Sequence, residues 1–201
     1  MKVILLNGSP KSKGCTYTAL KIIENELINE GIEVKFYEVG NKPVIGCTGC
    51  TACRKLGKCV HDDLVNEVSK EIESADGFIV GSPVHYAAAS GAATSFLDRL
   101  FYSTDKNQLR HKFGASIVSC RRGGASATFD QLNKYFTINE MPIVSSVYWN
   151  QIHGNTPEEV VQDLEGVRTM KVLARNMAYL IKCKEAAKNV PLPKLVPVER
   201  T

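Results

Sequence analysis

Four of the chain's seven cysteines lie within thirteen residues of one another, in the segment GCTGCTACRKLGKC. Their spacing is C-x2-C-x2-C-x5-C, and they are Cys47, Cys50, Cys53 and Cys59. Structural zinc sites usually pair two C-x2-C units across a long segment. Three cysteines at C-x2-C-x2-C are instead typical of the start of a bacterial ferredoxin motif, whose fourth cysteine ligates a second cluster. The spacing therefore favours iron–sulfur chemistry over zinc and leaves the role of Cys59 open.

Three other interpretations of the cysteine segment remain open. Cysteines can be retained as small, partly buried residues that bind nothing. Two of them can form a reversible disulfide, as a C-x2-C pair does. The segment can also shape a neighbouring cofactor pocket or a contact between subunits. A total of seven cysteines is odd, which fits a closed disulfide framework poorly.

A segment rich in hydroxyl groups, NGSPKSKGCT, follows the first apolar run and precedes a predicted helix. Backbone N–H groups at a helix start, hydroxyl donors and a lysine together bind a phosphate dianion. The candidate side chains are Ser9, Lys11, Ser12, Thr16 and Thr18. The segment has neither the G-x-x-x-x-G-K-[ST] pattern of nucleotide hydrolases nor the G-x-G-x-x-G pattern of dinucleotide folds. A phosphate site is one interpretation, and a capped helix with a solvated lysine is the other.

Two further loops contain residue types that suit a flat, charged ligand. In SPVHYAAASG, a rigid proline turn presents flat side chains to a planar ring, and the residues are Pro83, Val84, His85 and Tyr86. In CRRGGASA, two arginines supply charge and two glycines permit close backbone approach, and the residues are Arg121, Arg122, Gly123 and Gly124. Side chains that only cover a strand end, and arginines solvated at a turn, remain the alternatives.

The rest of the chain alternates between strand and helix patterns, which place these loops. Apolar or alternating runs predict strands at residues 2–8, 33–39, 76–83, 113–120 and 141–149. Helical spacing and capping residues predict helices at residues 16–30, 62–75, 91–102, 127–139 and 156–182. The alternation indicates an α/β fold with one doubly wound, five-stranded parallel sheet. In the order 2-1-3-4-5, the loops after the first and third strands face each other, and ligands bind there.

Length and composition favour one ordinary globular domain. The chain has 201 residues, 44% of them hydrophobic and 23% charged, and we assign residues 1–188 to the domain. The proline-rich residues 189–201 are expected to form an extended tail. The net charge of +4 is mild and the basic residues are scattered, which argues against nucleic-acid and membrane partners. No run of eighteen apolar residues occurs, so we expect a cytoplasmic protein, in which clustered cysteines favour metal or redox chemistry.

With these segments in place, the sequence resembles the flavodoxin-like family of NAD(P)H-dependent FMN reductases, and within it the iron–sulfur flavoproteins. The resemblance rests on four segments that extend over most of the chain, residues 7–16, 46–63, 81–99 and 165–178. It implies FMN as the cofactor and NAD(P)H as the electron donor. Three positions depart from the family pattern. Lys11 stands where arginine is often found, Cys15 where asparagine or serine is common, and His85 where tyrosine is frequent.

The resemblance also implies roles for individual residues. The FMN phosphate would lie against Ser9, Lys11, Thr16, Tyr17 and Thr18. The isoalloxazine ring would lie over Pro83, Val84, His85 and Tyr86, and its edge would lie near Arg121, Arg122, Gly123 and Gly124. His85 is the candidate catalytic proton donor. In the iron–sulfur branch, a [4Fe–4S] cluster would be held by Cys47, Cys50, Cys53 and Cys59.

The combined prediction is an FMN-dependent oxidoreductase that accepts a hydride from NAD(P)H and reduces a small acceptor, such as a quinone, a flavin, or a nitro or azo compound. We expect a homodimer or a higher oligomer, because a second subunit would add walls to a shallow flavin site. The alternative is an electron carrier that passes electrons through FMN and a [4Fe–4S] cluster to a redox protein partner. A redox sensor with a structural flavin is a third interpretation.

Overall fold

Five parallel strands form the central sheet of the computed structural model, which describes residues 1–194 and 196. In chain order the strands are β1 (Lys2–Asn7), β2 (Glu33–Glu38), β3 (Gly77–His85), β4 (Ala88–Ala89), β5 (Phe113–Cys120) and β6 (Gln151–His153). The order across the sheet is β2-β1-β3-β5-β6, and the two-residue β4 pairs antiparallel with the end of β3. With β4 set aside, this is the predicted order 2-1-3-4-5, which is therefore confirmed.

Helices cover both faces of the sheet because the central strands are apolar on both sides. The helices are α1 (Cys15–Asn29), α2 (Cys53–Leu56), α3 (Leu64–Ile72), α4 (Gly91–Ser103), α5 (Lys106–Leu109), α6 (Ala125–Thr137), α7 (Pro157–Val160) and α8 (Leu164–Ala186). In β1, Ile4 and Leu6 pack with α3, α4 and α6, whereas Val3 and Leu5 pack with α1 and α8. Successive side chains of a strand point to opposite faces, so one short run supplies two cores.

The predicted fifth strand at residues 141–149 is wrong, because that segment is a loop and β6 begins two residues after it. Within the loop, only Ile143 forms an isolated bridge to β5. Its last aromatic residues face solvent, since Tyr148 is 50% exposed and Trp149 is 53% exposed. The Ser146 hydroxyl lies 2.7 Å from the Tyr148 carbonyl oxygen and closes a turn. An apolar run alone does not distinguish a buried strand from such an exposed loop.

The predicted last helix at residues 156–182 is two helices, α7 and α8. Thr156 caps α7, because its hydroxyl oxygen accepts from the backbone N–H of Glu159 at 3.3 Å. The break follows from Asp163, whose carboxylate accepts from the N–H of Gly166 at 3.0 Å and from the N–H of His153 at 2.7 Å. The carboxylate starts α8 and fixes it to β6 at the same time.

The division into a domain of residues 1–188 and a tail of residues 189–201 stays a prediction. Residues 191–194 have no regular secondary structure, and residues 195 and 197–201 of the predicted tail lie outside the described residues. Over residues 1–194 and 196, no helix combines the length and the hydropathy needed to cross a membrane.

A tight contact between β5 and α6 gives a prediction for stability. A Cβ atom at Gly114 would lie 2.5 Å from the Cδ1 atom of Phe136, whose side chain is fully buried. We expect Gly114→Ala to lower the free energy of unfolding by about 2 kcal/mol, because overpacking forces buried groups to move. Urea denaturation with an unchanged m-value measures this loss. As a control, Gly91→Ala introduces a Cβ with no atom within 4 Å and should leave stability unchanged or higher. Equal midpoints for the two variants would refute the packing argument.

Candidate functional site

The loops after β1, β3 and β5 enclose a cleft at the carboxyl ends of the strands, as the strand order predicts. The strand-end cleft contains about 570 Å³ of space that is partly open to solvent. It is lined by Ser9, Pro10, Lys11, Cys15, Thr16, Pro83, Val84, His85, Ser119, Cys120, Arg121, Gly154 and Asn155. The structure thus brings together seven of the predicted cofactor residues, which come from three separate loops.

The β1–α1 loop presents the start of a helix to this cleft. Gly14 precedes α1, and over the part of the chain that the structure describes no side chain caps that helix. The N–H groups of the first turn of α1 are therefore available to an anion. Lys11 is exposed at the rim, and its backbone N–H donates to the Ser9 hydroxyl at 3.1 Å. The Thr16 and Ser119 hydroxyls, both buried, hydrogen-bond at 2.7 Å and join α1 to β5.

The donor set in the strand-end cleft fits a phosphate with an attached planar ring. Helix N–H groups, a lysine and hydroxyls suit the anionic end. Pro83 and Val84 form a half-buried wall on the opposite side, and His85 is exposed beside them. Burial raises the pKa of the Cys15 and Cys120 thiols, so both remain neutral at physiological pH. The cleft therefore contains no thiolate that would repel a phosphate.

Six predicted cofactor residues do not line the strand-end cleft, namely Tyr17, Thr18, Tyr86, Arg122, Gly123 and Gly124. Tyr17 packs edge-on against Phe36, and the Thr18 hydroxyl donates to the Gly14 carbonyl at 3.2 Å. The side chain of Tyr86 is fully exposed at the tip of the β3–β4 turn. Tyr17 and Thr18 lie on the first turn of α1, and the other four lie in the predicted loops. Which of these residues face the cleft depends on backbone dihedral angles that the resemblance does not give.

The β3–β4 turn has an unusual backbone. Tyr86 and Ala87 have φ angles of 52° and 59°, in the left-handed region that residues with a Cβ seldom adopt. Gly124, with φ of 89°, lies beneath this turn, and a Cβ there would be 2.8 Å from the Cα of Ala87. The role of Gly124 is therefore packing against the turn that ends the Pro83–His85 wall. Strained turns of this kind are frequent at functional sites.

Several cleft residues were missed by the sequence analysis. Ser119 and Cys120 end β5, and Gly154 and Asn155 follow β6. The rule that ligands bind at the carboxyl ends of strands could have identified the first pair. The second pair was missed because the fifth strand was predicted too early in the chain.

The four clustered cysteines line a second cavity, and all four are free thiols. This cysteine cavity is bounded by Gly46, Cys47, Thr48, Cys50, Thr51, Cys53, Cys59, Val60, His61, Arg99, Tyr102 and Ser103, and it contains about 330 Å³ of partly open space. In residues 1–194 and 196, no three His, Cys, Asp or Glu side chains are arranged to hold a metal ion. Four thiols from one segment are the ligand set that a [4Fe–4S] cluster takes, so the donors of the cysteine cavity suit such a cluster in their chemistry.

Arg99 fixes both ends of the cysteine segment. Its side chain is 1% exposed, and each of the five guanidinium N–H groups has a partner. Nε donates to the Cys59 sulfur at 3.3 Å, while Nη1 and Nη2 donate to the Asp63 carboxylate at 2.6 and 2.8 Å. The remaining two N–H groups donate to the carbonyl oxygens of Ile45 at 3.4 Å and His61 at 3.1 Å. One side chain of α4 therefore holds residues on both sides of the four cysteines.

Arg99 and Asp63 both keep their charges although they are partly buried. Burial disfavours the ionised carboxyl, but the hydrogen bonds from Arg99 and from the Val65 N–H keep the pKa of Asp63 below its ordinary value. Burial likewise opposes the guanidinium charge, but hydrogen bonds to Asp63 and Cys59 keep the pKa of Arg99 above its ordinary value. Asp63 also caps α3, because its carboxylate accepts from the Val65 N–H at 3.1 Å.

Arg99 and Ser103 were not identified as site residues from the sequence. Arg99 ends the segment of residues 81–99 on which the resemblance rests, but its partners are 36 to 54 positions away. Ser103 follows it by one helical turn and also lines the cysteine cavity. The i, i+4 spacing places Arg99 and Ser103 on one face of α4. That spacing indicates a shared site only when the loop that faces the helix is known.

Comparisons with known proteins bear on the family and on the fold. The model of NADPH-dependent FMN reductases matches residues 1–156. An iron–sulfur flavoprotein of Methanocaldococcus jannaschii is 32% identical over 189 residues, which are 90% of this chain and 98% of that protein. A flavodoxin from the domain Archaea superposes with a TM-score of 0.62 at 16% identity, over 90% of this chain and 99% of that one. A flavoenzyme NAD(P)H:acceptor oxidoreductase of Paracoccus denitrificans superposes with a TM-score of 0.68 at 15% identity. The superposition covers 90% of this chain and 97% of that one. The structural similarities confirm the predicted flavodoxin-like fold.

Proposed function

The chain belongs to the NADPH-dependent FMN reductase family, and from this premise we propose that it is an FMN-dependent oxidoreductase that accepts a hydride from NAD(P)H. The acceptor class we propose is a small molecule, such as a quinone, a flavin, or a nitro or azo compound. The observation that carries the proposal is the strand-end cleft, which combines an uncapped helix start with a flat wall at the point where strand order reverses.

The residues of the strand-end cleft suit both the phosphate and the isoalloxazine ring of FMN. The first turn of α1, with Ser9 and Lys11, would hold the phosphate. Pro83 and Val84 would lie against the isoalloxazine ring, and Arg121 would supply positive charge at its edge. The flavin supplies the hydride chemistry, so the protein's task is to orient the ring and to exclude competing reactions. His85 lines the cleft and is exposed at its rim, and we propose it as the proton donor to an acceptor.

A second candidate function is favoured by the cysteine cavity. Four free thiols that line one cavity, together with 32% identity to an iron–sulfur flavoprotein, support a [4Fe–4S] cluster held by Cys47, Cys50, Cys53 and Cys59. The chain would then pass electrons from FMN through the cluster to a redox protein partner. A homo-oligomeric state and a cytoplasmic location stay predictions under both candidates.

An absorption spectrum of the protein purified without oxygen, recorded before and after adding NADPH, tests both candidates. We expect a flavin spectrum that bleaches on addition of NADPH, because the strand-end cleft is open to a nicotinamide nucleotide. Protein that binds no FMN, even after FMN is supplied, would contradict the first candidate. A broad iron–sulfur absorption that also bleaches would support the second.

Cysteine variants separate the two functions. The double variant Cys50→Ser/Cys53→Ser should lose all iron if a cluster is present, and it should keep NADPH-dependent flavin bleaching if the reductase function stands alone. Cys183→Ser is the matched control, because Cys183 is an exposed free thiol on α8, outside the cysteine cavity. Full retention of iron in the double variant would contradict the cluster.

A further inference from the structure

An unpartnered hydroxyl group lies in the wall of the cysteine cavity. Ser103 is 8% exposed, and its Oγ atom is buried with no hydrogen-bond partner among the described residues. Buried hydroxyls almost always have a partner, because an unsatisfied one loses its hydrogen bonds to water and gains none in return. Ser103 lines the cavity that contains the four cysteines. A sulfur-containing group in the cavity would be the acceptor that this hydroxyl lacks.

Arg99 places a second donor in the same wall. Its Nε already donates to the Cys59 sulfur at 3.3 Å, and its other N–H groups are fixed by Asp63 and two loop carbonyls. The guanidinium group therefore cannot turn away without breaking five hydrogen bonds. Arg99 and Ser103 are one turn apart on α4, so both donors belong to a single rigid element.

We propose that α4 sets the reduction potential of the cluster, because Arg99 and Ser103 donate hydrogen bonds to sulfur atoms in the cysteine cavity. This inference rests on the [4Fe–4S] cluster of the second candidate function. Both are positioning residues, since neither ligates iron.

The direction in which Arg99 and Ser103 shift the reduction potential follows from charge. Reduction adds one electron to the cluster, and a donor aimed at sulfur stabilises the more negative state. A buried guanidinium acts in the same direction through its positive charge. Arg99 and Ser103 should therefore raise the potential, and removing either donor should make the cluster harder to reduce.

Ser103 offers the cleaner test, because its side chain is small and supports no other contact through its hydroxyl. The holoprotein, purified without oxygen, is titrated with dithionite and mediators while the cluster is followed by electron paramagnetic resonance. We expect Ser103→Ala to reduce the equilibrium constant for cluster reduction about tenfold, a shift of about 59 mV to lower potential for a one-electron couple. Ser103→Thr, which keeps the hydroxyl, should restore most of the wild-type potential.

Two further variants test whether the effect is specific. Tyr102→Phe removes the hydroxyl of another residue that lines the cavity. That residue is 47% exposed and its hydroxyl accepts from Arg54 at 3.4 Å, so we expect an unchanged potential, because a hydroxyl that water can reach does not need a sulfur acceptor. Arg99→Lys keeps the positive charge and loses the fork of donors, so we expect a lower potential with the iron content retained.

The outcomes of the titration are distinguishable. Wild-type protein that contains no iron would overturn both the second candidate function and this inference. An intact cluster whose potential is the same in wild type and Ser103→Ala would overturn this inference alone. Equal shifts in Tyr102→Phe and Ser103→Ala would also overturn it, because the effect would then reflect general cavity polarity.

Discussion

Replacing Arg99 by methionine is expected to lower the free energy of unfolding by about 3 kcal/mol, since removing one partner of a buried ion pair leaves the other charge uncompensated. This expected loss is at the low end of the range for broken buried ion pairs, because the Asp63 side chain is 44% exposed. The variant also leaves the carbonyl oxygens of Ile45 and His61 without their donor. Urea denaturation measures the loss.

The same substitution should release the cysteine segment from α4. Arg54, Lys55 and Lys58 are exposed within the segment, so trypsin should cleave it faster in Arg99→Met than in the wild type. Lys188→Met is the control, because it removes a cation whose side chain is 68% exposed from an ion pair with Glu185, which is itself 57% exposed. A surface pair of this kind contributes about 1 kcal/mol or less. Similar losses in the two variants would show that Arg99 has no special role.

Gly8→Val should lower the free energy of unfolding about as much as Arg99→Met does, and it should also weaken FMN binding. A Cβ at Gly8 would lie 2.7 Å from the Cβ of Ala93 and 2.9 Å from the Gly81 carbonyl oxygen. The backbone of Gly8 is held on both sides, since its N–H donates to Gly81 at 2.8 Å and its carbonyl accepts from the Ser90 hydroxyl at 2.6 Å. We expect a loss of about 3 kcal/mol, at the upper end of overpacking costs.

The effect on the cofactor has a geometric reason. Gly8 precedes Ser9, and pushing this loop away from β3 separates the two sides of the strand-end cleft. We expect the dissociation constant for FMN, measured by fluorescence quenching, to rise at least about tenfold, which corresponds to 1.4 kcal/mol. Gly8→Ala should show an intermediate loss, because the first added carbon makes the clash and the valine methyl groups extend it. A Gly8→Val protein that binds FMN as the wild type does would contradict the prediction.

The topology and the position of the main cleft could be predicted because they follow from local patterns. Alternating strands and helices determine a parallel sheet, and the strand order places the loops at Ser9 and Pro83 opposite each other. The direction of Tyr86 could not be predicted, since it depends on a turn with two positive φ angles. The exposed loop that ends in Trp149 has the same apolar character as a buried strand. Periodicity cannot separate these two cases.

The cysteine cavity shows a second limit of prediction from the sequence. The spacing of the four cysteines indicated the type of chemistry, but the residues that hold the segment are distant in sequence. Arg99 contacts Ile45 across 54 positions and Cys59 across 40. An arginine on a predicted helix is most often solvated, so its burial is apparent only when the facing loop is in place.

Helix α4 has one end at each of the two sites. Ser90, which caps its first turn, bonds to Gly8 beside the strand-end cleft, and Arg99 and Ser103 lie at the cysteine cavity. The helix has 13 residues and is about 20 Å long, and one added turn would lengthen it by about 5.4 Å. In the electron carrier of the second candidate function, α4 would therefore tie the phosphate-binding loop and the cysteine segment of one chain to a single rigid rod.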